Sequence, residues 1–142
     1  MMKRNALRLC NHALLGLMPL SLASGLWLEY LQGEPFGATS NALWVSIHLL
    51  VSLLMTLCVG WHIQLNWGTM QKWYSRFKTH HSKAIRFITI VFLLTTLTGI
   101  IATPQWLAQE HTSLGGVHGK IGYLLALVLF LHTKKHWGWF SR

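Results

Sequence analysis

The stretch 48–62, HLLVSLLMTLCVGWH, begins and ends with a histidine and is almost entirely apolar between them. The stretch 118–132, HGKIGYLLALVLFLH, repeats this form, so the spacing from His48 to His62 recurs from His118 to His132. An α-helix rises about 1.5 Å and turns about 100° per residue, so the two histidines of a pair face nearly the same side of a helix, roughly 21 Å apart along it. The hydrocarbon core of a bilayer is about 30 Å thick, and both levels fit within it.

The composition around these stretches is that of a membrane protein. Hydrophobic residues make up 52% of the 142 residues and charged residues only 11%, which is too few charges to cover the surface of a soluble protein. Four apolar stretches are long enough to span a bilayer, namely residues 13–31, 42–64, 87–106 and 117–133. We therefore predict one all-α domain over residues 1–142, a transmembrane bundle of four helices.

The net charge of +9 is distributed asymmetrically. Most basic residues lie before the first span, between or beside the second and third, or after the fourth: Lys3, Arg4, Arg8, Lys72, Arg76, Lys78, Lys83, Arg86, Lys134, Lys135 and Arg142. The acids Glu29, Glu34 and Glu110 fall on the other side. The positive-inside rule then predicts cytoplasmic termini, with the chain in a bacterial inner membrane. Because basic loops also suit anionic lipid headgroups, we expect a membrane partner and no nucleic acid.

The sequence also contains an internal repeat, which predicts two copies of a two-helix hairpin. Aligning position i with position i+70 matches equivalent positions of the second and fourth spans: His48 with His118, Ser52 with Gly122, His62 with His132, and Trp67 with Trp137. Aligning i with i+74 matches Ser24-Gly25 with Thr98-Gly99 in the first and third spans. Repeat one covers about 8–67 and repeat two about 83–137, joined by a basic inner loop over 67–83. The segment 1–25 resembles a signal peptide, but we expect it to form part of the first span, because the repeat requires it.

The four spaced histidines are the candidate ligands. A neutral imidazole nitrogen binds haem iron well, and a histidine in lipid without such a partner costs free energy. Equal depth pairs His48 with His118 near the outer surface and His62 with His132 near the inner one. We predict two b-type haems, each held by two histidines, which favours electron transfer over oxygen chemistry because no axial position stays open. A histidine hydrogen-bonded to a neighbouring helix is the alternative explanation for each.

Other residues are weaker candidates. Gly25 and Gly99 would give a haem the side clearance that a Cβ denies, although close helix packing explains them nearly as well. Lys120 is a candidate partner for a propionate of the outer haem, and Arg86 for one of the inner haem, as are Arg8, Lys134 and Lys135. His12 and His136 lie near the inner ligands and are candidates for contact with a propionate or a quinone. The aromatic residues at the span ends, including Trp27, Trp44 and Trp106, are interpreted as anchors at the membrane surface.

These motifs resemble a known family. Residues 62–67, HIQLNW, together with Leu97-Thr98-Gly99 and the spaced histidines, are similar to the flavinylation-associated cytochromes, which are small bacterial membrane proteins. The histidine spacing also resembles that of the two ligand helices in the dihaem cytochrome b of respiratory bc complexes. The resemblance runs from the first span to Trp137, with Ser24 and His136 departing mildly from the family pattern. It implies transmembrane electron transfer, often to periplasmic proteins that carry flavin.

We therefore expect a dihaem cytochrome b that carries electrons between a quinol or cytoplasmic donor and a periplasmic redox protein, as one module of an oxidoreductase system. One alternative is a transition-metal transporter or sensor that uses the same histidines. Each level offers two histidines with no carboxylate or thiol pair to complete a tetrahedral site. A second alternative is a structural subunit of a redox complex.

Overall fold

The computed structural model describes residues 2–31, 38–75, 80–108 and 113–139, and the side chains within 3–29, 42–72, 83–108 and 113–138. In these ranges the chain forms helices α1 (Met2–Leu31), α2 (Ala38–Leu65), α3 (Trp67–Ser75), α4 (His80–Leu107) and α5 (Ser113–Lys135), followed by a 3₁₀ turn at Trp137–Trp139. The side chains of Glu34, Glu110, His80, His81 and His111 lie outside the described residues, as do those of the basic residues Arg76, Lys78 and Arg142.

Four of these helices are long and apolar enough to cross a membrane, which confirms the predicted all-α class and the number of spans. The candidate spans are Lys3–Glu29, Ala42–Leu65, Lys83–Leu107 and Ser113–Lys135. Large apolar side chains cover their outer faces, for example Leu57 at 62% exposure and Ile100 at 63%. Such a surface suits contact with lipid chains, because exposed apolar area of this extent is rare on soluble proteins.

Two boundaries differ from those expected from hydropathy. The first span begins well before the predicted residue 13, because contacts with α2 extend the helix: the buried Cys10 donates its thiol proton to the Cys58 carbonyl at 3.3 Å, and Asn11 contacts His62. The expected inner loop also contains a helix, α3. Asn66 lies between α2 and α3, where its N–H bonds to the His62 carbonyl and its own carbonyl accepts from Met70.

The helices pack as two antiparallel pairs that close into a square. Helix α1 packs mainly on α2, and α4 mainly on α5, while thinner contacts join α1 to α5 and α2 to α4. Within the described ranges no backbone contact joins α2 to α5, so these two helices stand at opposite corners. The sequence assigns all four candidate ligands to this diagonal pair. The rings of two of them, His48 and His118, approach each other across the centre of the bundle.

Candidate functional site

The histidines of α2 and α5 approach each other across the bundle at one level. The ring centroids of His48 and His118 lie 6.2 Å apart, and the ring planes are nearly perpendicular, at 81°. Both side chains are half-buried. We call this pair the first layer. The structure therefore brings together the two residues that equal depth predicted to face each other.

The hydrogen bonds of Ser24 determine which nitrogen of His48 carries the proton. Ser24 Oγ donates to the carbonyl of Ser21 at 3.0 Å and lies 2.9 Å from Nδ1 of His48. A hydroxyl has one proton to donate, so with that proton on Ser21 the oxygen must accept from His48. Nδ1 of His48 is therefore the N–H, and Nε2 carries the lone pair that can bind a metal.

His118 is held in the same way by α4. Its Nδ1 lies 3.1 Å from the carbonyl oxygen of Thr95 and 3.2 Å from Oγ1 of Thr98. A carbonyl can only accept, and Thr98 already donates its proton to the Leu94 carbonyl at 2.8 Å. Nδ1 of His118 is therefore also the donor, which leaves the Nε2 lone pair free. Metal-binding histidines typically have their second nitrogen hydrogen-bonded in this manner.

A glycine lies against each histidine ring of the first layer. A Cβ on Gly25 would lie 3.1 Å from Cε1 of His48, and a Cβ on Gly99 would lie 2.9 Å from Cε1 of His118. Both distances are shorter than ordinary van der Waals contact. The two predicted glycines therefore lie against the histidine rings, and both also line the cavity between the spans.

A cavity of about 350 Å³ lies between the four spans at the first layer. It includes both histidines, both of these glycines, and residues from all four spanning helices. Small residues on α5 form much of one wall: Gly115, Gly116, Gly119, Gly122 and Ala126. Its volume falls within the range of small-molecule and cofactor sites, and its lining is mainly apolar with a few polar groups.

Ser21 and Ser52 lie in the wall of this cavity, and their hydroxyls are hydrogen-bonded at 3.0 Å between α1 and α2. On the other side, Tyr123 of α5 donates a hydrogen bond to the carboxylate of Glu29 on α1. This bond joins the two helix pairs at the cavity. The only acid with a described side chain is therefore engaged with a phenol beside the first layer.

The second layer consists of His62 and His132. Nδ1 of His62 lies 3.0 Å from the amide oxygen of Asn11 on α1, so Nδ1 is again the donor and Nε2 carries the lone pair. The Asn66 amide nitrogen lies 3.5 Å from that Nε2. The ring of His132 packs against that of His136, with centroids 4.8 Å apart. Since α2 and α5 are continuous from layer to layer, the helical rise puts the layers about 21 Å apart.

The remaining predicted residues are placed as follows. Lys120 is exposed on α5, close in sequence to His118, and Arg86 is half-buried on α4. Trp106, expected as a surface anchor, instead packs its ring edge-on against His118 at 5.3 Å and lines the cavity. Gly115 makes this possible, because a Cβ there would lie 2.8 Å from the indole nitrogen. Trp27 and Trp44, by contrast, pair with each other at 5.6 Å on the outside of the α1–α2 pair.

Sequence reasoning missed the residues that orient the histidines. Asn11 carries no motif, and Ser24 and Thr98 were noticed only as neighbours of glycine. A usable signal exists, because a hydroxyl residue directly precedes the glycine in both copies of the aligned pair, Ser24-Gly25 and Thr98-Gly99. Among the described side chains, no group of three or more His, Cys, Asp and Glu could hold a metal ion.

No protein-family model, curated protein or solved structure matches this chain. The chemistry of the site must therefore be argued from its own residues.

Proposed function

We propose that this chain is a membrane cytochrome b that holds two haems and carries electrons across the bilayer. One observation carries the proposal. Two imidazoles from diagonal helices meet at 6.2 Å in a cavity, and the partners of both Nδ1 atoms leave both Nε2 lone pairs available. Such a pair matches the two axial ligands of a planar iron cofactor, whose own ring supplies the other ligands.

The ring separation in the first layer fits this assignment. A metal–imidazole nitrogen bond is about 2.0–2.1 Å, and the ring centroid lies roughly 1.1 Å further away, so two imidazoles on opposite sides of one metal have centroids about 6 Å apart. The ring centroids of His48 and His118 lie at this separation, 6.2 Å. The apolar wall of small residues on α5 supports the assignment further, because a flat ring needs a wall without bulky side chains.

The second layer also consists of two histidines, but other residues contact their rings. Asn11 orients His62, and His132 packs on His136. We propose that the chain is a duplicated hairpin, related by an axis along the membrane normal, in which the second layer holds the second haem. Ser24 with Gly25 and Thr98 with Gly99 support the duplication, since each pair contacts the histidine of its own hairpin.

When bound, each haem would supply reversible one-electron chemistry, and the protein residues would hold and tune it. His48 and His118 would bind the first, and His62 and His132 the second. With both axial positions occupied, neither iron would offer a site for a substrate, so the role is electron transfer. The hydroxyl, carbonyl and amide acceptors at Nδ1 of His48, His118 and His62 would make these three imidazoles stronger electron donors, which would favour the oxidised metal.

The wider setting is part of the same proposal. Both termini lie in the cytoplasm of a bacterial cell, in keeping with the basic residues at the ends of the spans. The first layer then lies near the periplasmic surface and passes electrons to, or receives them from, a periplasmic redox protein, with a flavin-carrying protein as the leading candidate. A quinol or a cytoplasmic donor serves the second layer. The chain would act as a module of an oxidoreductase system.

Single histidine substitutions test the proposal. The wild-type protein, expressed with ample haem, should show a b-type α-band in its reduced-minus-oxidised spectrum. His48→Ala and His118→Ala should each abolish the same low-spin haem, and His62→Ala and His132→Ala the other. Ser46→Ala is the control, since Ser46 lies on α2 with His48 and its hydroxyl bonds to the Ala42 carbonyl of the same helix.

If all four variants retain the wild-type spectrum, the assignment of ligands is wrong. A purified wild-type protein that holds zinc or copper in place of iron would favour a metal transporter or sensor. A chain that binds neither would favour a structural subunit.

A further inference from the structure

The two histidine rings of the first layer are crossed at 81°. Two histidines could bind one metal at other ring angles, so the crossing needs its own explanation. The terminal torsion of a histidine side chain has broad minima, so the ring rotates easily unless its nitrogens are anchored. In this structure the Ser24 hydroxyl anchors Nδ1 of His48, and the Thr98 hydroxyl together with the Thr95 carbonyl anchors Nδ1 of His118. A glycine bounds each ring on one side. The anchors come from α1 for His48 and from α4 for His118.

The hydroxyls are themselves fixed. Ser24 Oγ is tied to the Ser21 carbonyl at 3.0 Å, and Thr98 Oγ1 to the Leu94 carbonyl at 2.8 Å. Each oxygen can therefore accept along only the directions that remain, and Nδ1 of the ring must lie on one of them. Since α1 and α4 occupy the other two corners of the square, they anchor the two rings from different directions.

We propose that Ser24 and Thr98 are positioning residues that set the rotation of the two axial imidazoles and hold them crossed in the first layer. This inference rests on the proposed function, because it concerns the ligands of the first haem. The second layer is anchored differently, through the amide oxygen of Asn11 and the ring of His136. The rotation of its ligands is therefore independent of both hydroxyls.

Crossed ligand planes have a spectroscopic consequence. Each imidazole donates π-density preferentially into the iron orbital perpendicular to its plane, so perpendicular rings keep two d-orbitals close in energy. The ferric, low-spin haem then gives a strongly anisotropic electron paramagnetic resonance signal. Parallel rings separate the orbitals and give a rhombic signal. The signal therefore reports ring rotation, which a purely structural defect would not change in this direction.

The experiment compares four variants with the full-length wild-type protein in its ferric form. Ser24→Ala and Thr98→Val remove the hydroxyl acceptors, and we expect the first-layer signal to move from anisotropic toward rhombic while the second-layer signal stays unchanged. The shift should be larger in Ser24→Ala, because in Thr98→Val the Thr95 carbonyl still accepts from His118. Ser46→Ala and Thr89→Val are matched controls, because those hydroxyls bond only to the carbonyls of Ala42 and Ile85 in their own helices. Both controls should keep the wild-type signal.

Conservative variants cover the case in which a variant loses its haem. Ser24→Thr and Thr98→Ser keep the hydroxyl and should keep both the haem and the anisotropic signal. If haem is lost from Ser24→Ala and retained with an unchanged signal in Ser24→Thr, the hydroxyl role is supported. Loss of the signal in Ser24→Thr to the same extent as in Ser24→Ala would overturn it.

The two proposals can fail separately. A wild-type protein without haem would overturn the proposed function and, with it, this inference. Suppose instead that the wild-type protein holds two haems and that Ser24→Ala and Thr98→Val both keep the wild-type first-layer signal. That result would overturn the inference and leave the proposed function standing.

Discussion

Replacing Gly99 with alanine should weaken cofactor binding in the first layer while leaving the bundle folded. The new Cβ would lie 2.9 Å from Cε1 and 3.3 Å from Nδ1 of His118. The contact is with the end of a side chain, so the cofactor-free protein can relieve it by rotating the His118 ring. A protein that holds haem cannot do so, because the ring must stay on the metal.

The structure allows the size of the effect to be worked out. Overpacking by one methyl group costs about 1–3 kcal/mol when the neighbours cannot move, which corresponds to haem binding about 5- to 150-fold weaker. Alanine also gains about 0.8–1.0 kcal/mol of helix propensity over glycine. That gain is the same with and without haem, so it raises the stability of the apoprotein and cancels from the binding constant.

The assay is haem titration of the apoprotein in detergent, followed by the absorbance of the low-spin band, with thermal unfolding measured in parallel. Gly25→Ala should show a smaller loss, since its Cβ would lie 3.1 Å from His48. Gly16→Ala on α1 is the control, because nothing lies within 4 Å of its Cβ. If Gly99→Ala binds haem as tightly as Gly16→Ala does, the glycine has no role in placing His118.

Three further predictions concern neighbours of the two layers. Asn11→Ala should weaken binding of the second haem alone, by about 10- to 100-fold, because His62 loses its hydrogen-bond acceptor. A redox titration that resolves the two haems measures this, and an equal loss of the first haem would contradict it. Tyr123→Phe should lower the unfolding free energy by about 0.6 kcal/mol and at most ~1.7 kcal/mol, through loss of the bond between α1 and α5; unfolding in mixed micelles measures this, and no change would mean that the bond does not form in the membrane. Trp106→Leu should speed haem dissociation from the first layer, because it removes the ring packed on His118. The rate of haem transfer to an acceptor protein measures this, and an unchanged rate would mean that Trp106 does not help to hold the haem.

The sequence predicted the helical class and the four spans because hydropathy and length alone decide them. It did not predict the extent of α1 or the helix α3, because contacts between helices determine both. Residues 3–12 contain Arg4, Arg8 and Asn11 and would not be assigned to a span by hydropathy, but Cys10 is fully buried against α2. Tertiary contact therefore outweighs local composition there.

The pairing of His48 with His118 was predictable, because the rise per residue of an α-helix is fixed and the position of a residue in a span therefore gives its depth in the membrane. The partners of these histidines were not, because the relative rotation of α1 and α2 brings Ser24 to Nδ1, and no periodicity encodes that rotation. The role of Trp106 was missed because an aromatic residue at the end of a span usually lies at the headgroups. Gly115 opens the space that lets the indole turn inward, and this became visible only in the packed structure.

The central claim is that two imidazole pairs, at two depths, each hold one haem. The most direct test is the number of b-type haems per chain in the purified wild-type protein, measured from its pyridine haemochrome spectrum against total protein. The account predicts two, in agreement with two ligand pairs. A chain that takes up no haem, although it is folded and supplied with an excess, would contradict it.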